Sequence, residues 1–180
     1  MQIETERLIL RRFRSDDLDR YYEIHTHPEV SAALCIKDWG KPDAWRHIAM
    51  FEGHWPLCGF SMMAVDVKDT GKDAGRMIGR CGPWSPVGYP GVEIGWTIDP
   101  AFQGEGYATE AAAASRDFIF EKQPELQSVV HVIAPSNRPS QSVVEKLGGI
   151  RTDETMEHPI AGRLEIWRTA RPTGEMARNV

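Results

Sequence analysis

Two glycines separated by a single residue, Gly104 and Gly106, sit in the run Gln103-Gly104-Glu105-Gly106-Tyr107-Ala108-Thr109, whose residue types suit the holding of a phosphate. Glycine lets the main chain approach an anion with no Cβ in the way. Residues 92–98 alternate and carry β-branched and aromatic side chains, so they read as a strand. Residues 107–120 are rich in alanine with an apolar stripe, so they read as a helix. A strand feeding a glycine-containing loop that opens a helix aims successive N–H groups at one spot, where the helix dipole adds roughly +0.5 of a charge. Ala108 keeps the first helical turn slim and Gln103 is a neutral donor at the rim. Glu105 is unhelpful beside an anion, so its carboxylate is expected to face solvent. A nucleoside-triphosphate loop is excluded, because no lysine follows Gly106 before Lys122. A dinucleotide loop G-x-G-x-x-G wants a small residue where Thr109 stands, and the chain lacks a parallel βαβ pattern, so a dinucleotide-dependent oxidoreductase fits poorly.

Other chemistry-bearing residues give less. His25 and His27 would be half a metal site, but no carboxylate or cysteine stands at ligand spacing beside them, and no metal is expected. His131 lies in an apolar strand and reads as a core histidine with its nitrogens satisfied. There is no G-x-S-x-G elbow for a serine nucleophile. Trp39, Trp45, Trp55 and Trp84 crowd the first half. Most are assigned to the core, and one or two are available to line a cleft with the loops at 28–41 and 83–91.

The elements that must position these residues follow from pattern. Residues 5–13 read as a first strand, and Ser15 caps a helix with Asp16 and Asp17 in its first turn. Residues 28–34 read as a loop or short helical turn, and Pro42 opens a helix to about residue 51 with Trp45, Ile48 and Ala49 at core spacing. Strands at 60–67 and 77–82 flank a hairpin turn at 69–75. Past Pro124 come a buried strand at 128–134, a helix at 140–147 ended by Gly148 and Gly149, and a closing hairpin of 150–157 with 164–169. The order is β-α-α-β-β-β-α-β-α-β-β. Connections are short, which points to one domain over 1–170, with 171–180 a loose tail.

Composition bounds the class. The 180 residues are 41% hydrophobic and 26% charged, with 21 basic against 26 acidic residues for a net charge of −5. That balance argues against nucleic acid and mildly favours a cationic acceptor. Cys35, Cys58 and Cys81 are an odd set without C-x-x-C, so no disulfide framework is expected. No signal-like segment and no membrane-length apolar run is seen, so a cytoplasmic monomer or homodimer, not bound to a membrane, is the expectation.

The run E-I-G-W-x-I-x-P-x-F-Q-G-x-G-Y-A-T-E-A from Glu93 to Ala111 resembles the GNAT superfamily of acetyl-CoA-dependent N-acetyltransferases, and within it the RimJ/RimL-like branch. A second element, Asn137-Arg138-Pro139-Ser140-Gln141-Ser142-Val143-Val144-Glu145-Lys146-Leu147-Gly148, is similar to the GNAT N-x-x-[SA]-x-x-[VL]-x-x-K-L-G segment. The two lie in the right order with a strand between them, and the first half agrees only through E-T-E-R-L-I-L-R and the helix pair after it. The resemblance implies an α/β (α+β) fold: a mixed, mostly antiparallel sheet splayed between its fourth and fifth strands. It implies acetyl-CoA as co-substrate, with pantetheine against Trp96, Thr97 and Ile98, and the diphosphate on Gln103, Gly104, Glu105, Gly106, Tyr107, Ala108 and Thr109. Asn137 and Ser140 would meet the cofactor near its thioester. Asn137 also reads as a plain turn residue, and Ser140 as a helix cap.

Such a reaction needs a base for the protonated amine, a donor for the oxyanion and a proton for the thiolate. Relatives place a tyrosine seven residues after the asparagine for the last task; here that position is Val144, and Ser140 is the substitute. Glu93 is the candidate base, acting through water, or else a sheet-face carboxylate in a salt bridge. Glu157 and His158 are second choices. The leading reading is an enzyme that acetylates a primary amine, either a protein N-terminal α-amine or a small amine. The alternative is a catalytically impaired acyl-CoA-binding or sensing domain.

Overall fold

In this computed structural model, which describes residues 1–68 and 71–172, eight strands form one sheet in the order β1-β2-β3-β4-β5-β6-β8-β7. The strands are β1 Gln2–Glu4, β2 Leu8–Arg11, β3 Met63–Val67, β4 Met77–Trp84, β5 Glu93–Ile98, β6 Ser128–Ile133, β7 Ile150–His158 and β8 Gly162–Ala170. Five helices connect them: α1 Leu18–Thr26, α2 Pro28–Ala33, α3 Lys41–Cys58, α4 Tyr107–Lys122 and α5 Arg138–Lys146. Every neighbouring pair is antiparallel except β5 with β6. This is the mixed, mostly antiparallel sheet expected from the sequence.

Several local readings are corrected. The first strand is two, because Thr5 turns the chain: its N–H donates to the Leu8 carbonyl at 3.0 Å and its hydroxyl accepts from the Leu8 N–H at 2.9 Å. The segment after His27 is a true helix, with Pro28 in its first turn and the His27 ring capping Glu29. Helix α3 runs past residue 51 to a left-handed cap at Gly59 (φ +79°), carrying Pro56 in its last turn. Its inward stripe is Ala44, Ile48, Phe51 and Trp55, so Trp45 and Ala49 face solvent instead of the core. Arg171, placed at the start of a loose tail, donates to the carbonyls of Leu126, Phe120 and Gln123 and stacks on Phe120. Residues 69 and 70 of the hairpin turn, and the tail from 173, lie outside the described residues.

Two apolar layers clamp the sheet. Alternate residues of β3 divide between them, as a pleated strand requires. Met63 and Val65 join Ala111, Ala112, Ile119 and Phe120 of α4, whereas Ala64 joins Tyr21, Ala44, Ile48 and Phe51 of α1 and α3. All three cysteines are free. No helix among the described residues is long and apolar enough to cross a membrane.

The sheet opens between β5 and β6. These parallel strands share one rung, Glu93 opposite Val130, with the Val130 N–H donating to the Val92 carbonyl at 2.9 Å. One residue on, the side chain of His131 replaces the missing backbone partner: Nδ1 lies 3.0 Å from the Ile94 carbonyl and Nε2 lies 3.0 Å from the Thr169 hydroxyl. A carbonyl only accepts, so Nδ1 carries the proton and Nε2 accepts from Thr169. Burial holds the ring neutral, with its pKa pushed down to about 4.

Replacing this ring removes both partners at once. His131→Ala is expected to cost about 3 kcal/mol in urea unfolding at pH 7, from an unpaired buried carbonyl and a cavity. Because the folded-state pKa lies below the ordinary 6.5, the wild-type advantage is present above pH 6.5 and shrinks as pH falls toward 4.

Candidate active site

The exit from β5 is fixed by Asp99. Its carboxylate accepts from the Ala101 N–H at 2.9 Å and pairs with Arg20 of α1, so the chain enters a 3₁₀ turn at Pro100–Phe102 at a set angle. Gln103 then folds back and donates its amide to the Ile98 carbonyl at 3.1 Å, which spends one of the donors expected at the rim. Gly104 and Gly106 both hold φ +84°, a left-handed conformation that favours glycine. A Cβ on Gly104 would meet nothing within 4 Å, so the space over the loop is open and the backbone alone demands the residue.

Helix α4 starts on Gly106 with no side-chain cap, and its first hydrogen bond runs from the Glu110 N–H to the Gly106 carbonyl at 3.1 Å. The N–H groups of Tyr107, Ala108 and Thr109 therefore have no helical acceptor. All three residues line a cavity of about 530 Å³ with Trp96, Thr97, Ile98, Gln103, Gly104 and Gly106. Arg7 braces the loop from outside: it donates to the Glu105 carbonyl at 2.9 Å, pairs with Glu110 at 2.7 Å and lies over the Tyr107 ring. Glu105, on which the resemblance also places the diphosphate, is exposed and is not among the residues lining this cavity.

A second, larger cavity of about 890 Å³ shares Trp96, Asn137 and Ser140 with the first. Asn137 caps α5, its Oδ1 accepting from the Ser140 N–H at 3.1 Å, so the turn reading holds for its oxygen while the residue still faces both cavities. Val144 is fully buried with Ile133 and Trp167, and no hydroxyl reaches the cavities from that position.

Register explains the far wall. On one face of the sheet Arg80 stands opposite Thr97, Gly82 opposite Gly95 and Trp84 opposite Glu93. The glycine pair makes a floor without side chains, over which Met62 lies: its Cε would be 2.6 Å from a Cβ on Gly95, and the Glu93 carboxyl carbon 3.8 Å. Glu93 makes no salt bridge among the described residues. Burial raises its pKa to about 7 against the opposing pull of the Arg80 charge and the Val132 N–H. The second-choice pair divides: His158 reaches the cavity wall, with Nδ1 accepting from the Ala161 N–H at 3.1 Å, whereas Glu157 does not line it. His25 is no half of a metal pair, for it is buried and its Nδ1 contacts the Tyr21 carbonyl at 2.9 Å.

Reading by sequence missed Arg80, Tyr89 and His47, which line the same cavity as Glu93. One signal was present. Arg80 interrupts the otherwise apolar run Met77-Ile78-Gly79 and Cys81, where a charge needs a reason.

Residues 7–150 match the family described as Acetyltransferase (GNAT) domain. Among curated proteins, the chain is 28% identical over 148 residues to the uncharacterized N-acetyltransferase YnaD of Bacillus subtilis, covering 82% of each chain. Among solved structures, the acetyltransferase from Agrobacterium tumefaciens superposes with a TM-score of 0.81 at 28% identity, covering 95% of both chains. The fold is also shared with RimL, a ribosomal L7/L12 alpha-N-protein acetyltransferase solved in complex with coenzyme A, at 14% identity, a TM-score of 0.71 and coverage of 94% and 98%.

Glu93 is a stability liability in its ionised form. Its folded pKa, about 7, lies above the ordinary 4.5, so its contribution is full below pH 4.5 and is lost as pH rises through 7. Glu93→Gln does not titrate. Its Tm relative to wild type should climb between pH 4.5 and 7.5 in thermal melts; a flat difference would mean that the carboxyl is solvated.

Proposed function

The chain belongs to the GNAT family of acetyltransferases, and from that premise we propose that it transfers an acetyl group from acetyl-CoA to a primary amine by direct attack in a ternary complex. The acceptor is a protein N-terminal α-amine, as in the RimJ/RimL-like branch, or a small amine. The observation that carries this reading is the meeting of two sets of free main-chain groups in one cavity. They are the uncapped N–H groups of Tyr107, Ala108 and Thr109, and the edge of β5 at Trp96 to Ile98 that β6 does not cover, apart from the Ile98 carbonyl, which Gln103 takes.

The first set, with Gln103, Gly104 and Gly106, suits a diphosphate, since a helix N-terminus combines oriented donors with a favourable dipole. The second suits the amides of pantetheine, which would pair with the strand edge as another strand would. Bound acetyl-CoA supplies an activated acyl group; the chain supplies position and proton handling. Glu93 takes the ammonium proton through water. A base with a pKa close to the working pH combines availability with proton affinity, and about 7 fits that demand. Asn137 and Ser140, at the junction of the cavities, orient the thioester, and the Ser140 hydroxyl serves the departing thiolate in place of the tyrosine that Val144 replaces.

The buried Val144 also favours the second reading, an acyl-CoA-binding domain without turnover. Calorimetry with acetyl-CoA and CoA thiol release over a panel of amines and N-terminal peptides separate the two. The transfer reading expects acceptor-dependent release, with kcat/KM falling on the acid side of an apparent pKa of about 7. Glu93→Gln should lower kcat by roughly 10²- to 10⁴-fold and erase that acid limb. Ser140→Ala should lower kcat by a larger factor than it weakens acetyl-CoA binding. Tight acetyl-CoA binding with no acceptor-dependent release would give the case to the binding module.

A further inference from the structure

We propose that the acceptor amine carries its own carboxylate, bound by Arg80 at the far end of the sheet face that holds Glu93. This rests on the transfer reading above and names the substrate class of the same site.

Among the described residues two arginines are buried, each 8% exposed, and they are treated differently. Arg11 is neutralised by two acids, Asp17 at 2.7 Å and Asp66 at 2.5 Å. Arg80 has none: among the described residues no carboxylate lies within 4 Å of it. Its Nε donates to His25 Nε2 at 3.2 Å, its Nη1 lies 3.5 Å from Met62 Sδ, and its guanidinium stands over the Phe51 ring. The two histidines and the tyrosine packed against it are held uncharged. Burial first, and then the Arg80 charge, keeps His25 well below its usual range and pushes His47 down to about 3. Burial also keeps the Tyr21 phenol protonated, above its ordinary range.

A buried guanidinium without a counter-ion is costly, and native interiors avoid it. Here the charge helps to line the larger cavity. A carboxylate is the natural complement, because the planar fork of arginine binds both of its oxygens. Among the described residues that line this cavity the one acid is Glu93, and Met62 lies over Gly82 and Gly95 between it and Arg80. Four residues of strand separate Glu93 from Thr97, the residue opposite Arg80, or roughly 14 Å between backbone positions before the two side chains lean inward. A molecule with an amine at one end and a carboxylate at the other fits along this wall, past Met62, in one orientation. Its amine then lies beside Glu93 and the cavity junction, and its anion lies at Arg80. A simple amine would leave Arg80 unpaired.

The test compares matched ligands on the CoA-saturated protein: ω-aminocarboxylates of increasing length, each against the amine that lacks its carboxylate, such as 6-aminohexanoate against pentylamine. Calorimetry gives the affinity and thiol release from acetyl-CoA gives kcat/KM. The carboxylate should improve binding at least tenfold in the best pairs, and that preference should collapse toward unity in Arg80→Met and survive in part in Arg80→Lys. The wild-type comparison stands even where a variant fails to fold. If no pair shows tighter binding of the carboxylate-bearing member, the proposal is overturned, and turnover of the plain amines would leave the transfer reading intact. Preferential binding of aminocarboxylates without acetylation would instead uphold Arg80 and remove the transfer reading.

Discussion

Parallel pairing between β5 and β6 ends after one rung, and the rest of the site depends on that interruption. A continuous ladder would bury the edge of β5 and close both cavities. Stopping it exposes backbone donors and acceptors, which are costly when left unpaired in an interior. His131 limits the damage by taking the Ile94 carbonyl on one side and the Thr169 hydroxyl on the other, while Gln103 takes the Ile98 carbonyl at the far end. Period-two alternation leaves Trp96, between these two, with its peptide groups facing the gap. The opening is thus held at both ends by side chains and left vacant in the middle.

The two cavities that meet at this gap rest on different physics. The smaller one is built from main-chain groups and a helix terminus, so its recognition is fixed by backbone conformation and tolerates many side chains. The larger one is built from side chains in an apolar setting, where charge is dear. Arg11 shows that the fold neutralises a buried guanidinium when it is structural. Arg80 has no such partner among the described residues, and neutral rings pack around it. Glu93 is the counterpart, a carboxyl raised to about 7 because its wall is dry.

This division explains what could be read in advance. Gly104 and Gly106 must be glycine for their backbone angles, and they sit in one short segment between a strand and a helix, so loop, strand and helix were all legible from the letters. The branch point between β5 and β6 followed from the resemblance alone. Trp45 was misplaced because the apolar stripe of α3 starts one residue earlier, at Ala44, and an indole on the solvent face imitates a core position. The split of the first strand depended on Thr5 bonding Leu8, a local competition that hydrophobic pattern does not register. Arg80, His47 and Tyr89 come from separate elements, and nothing in a linear reading brings them to Glu93. Gly82 and Gly95, the paired glycines that make room for Met62, become meaningful only once the register of β4 on β5 is known.

One strand serves both cavities because a β-strand presents two kinds of surface at right angles. Its hydrogen-bonding groups lie in the plane of the sheet and its side chains stand out of it. On β5 the in-plane edge faces the gap, at Trp96 to Ile98, and the out-of-plane face carries Glu93 and the glycine floor. A ligand held along the edge and another lying on the face must converge where edge and face meet, at Trp96, beside Asn137 and Ser140. The geometry of a single extended segment, deprived of one neighbour, does the aligning.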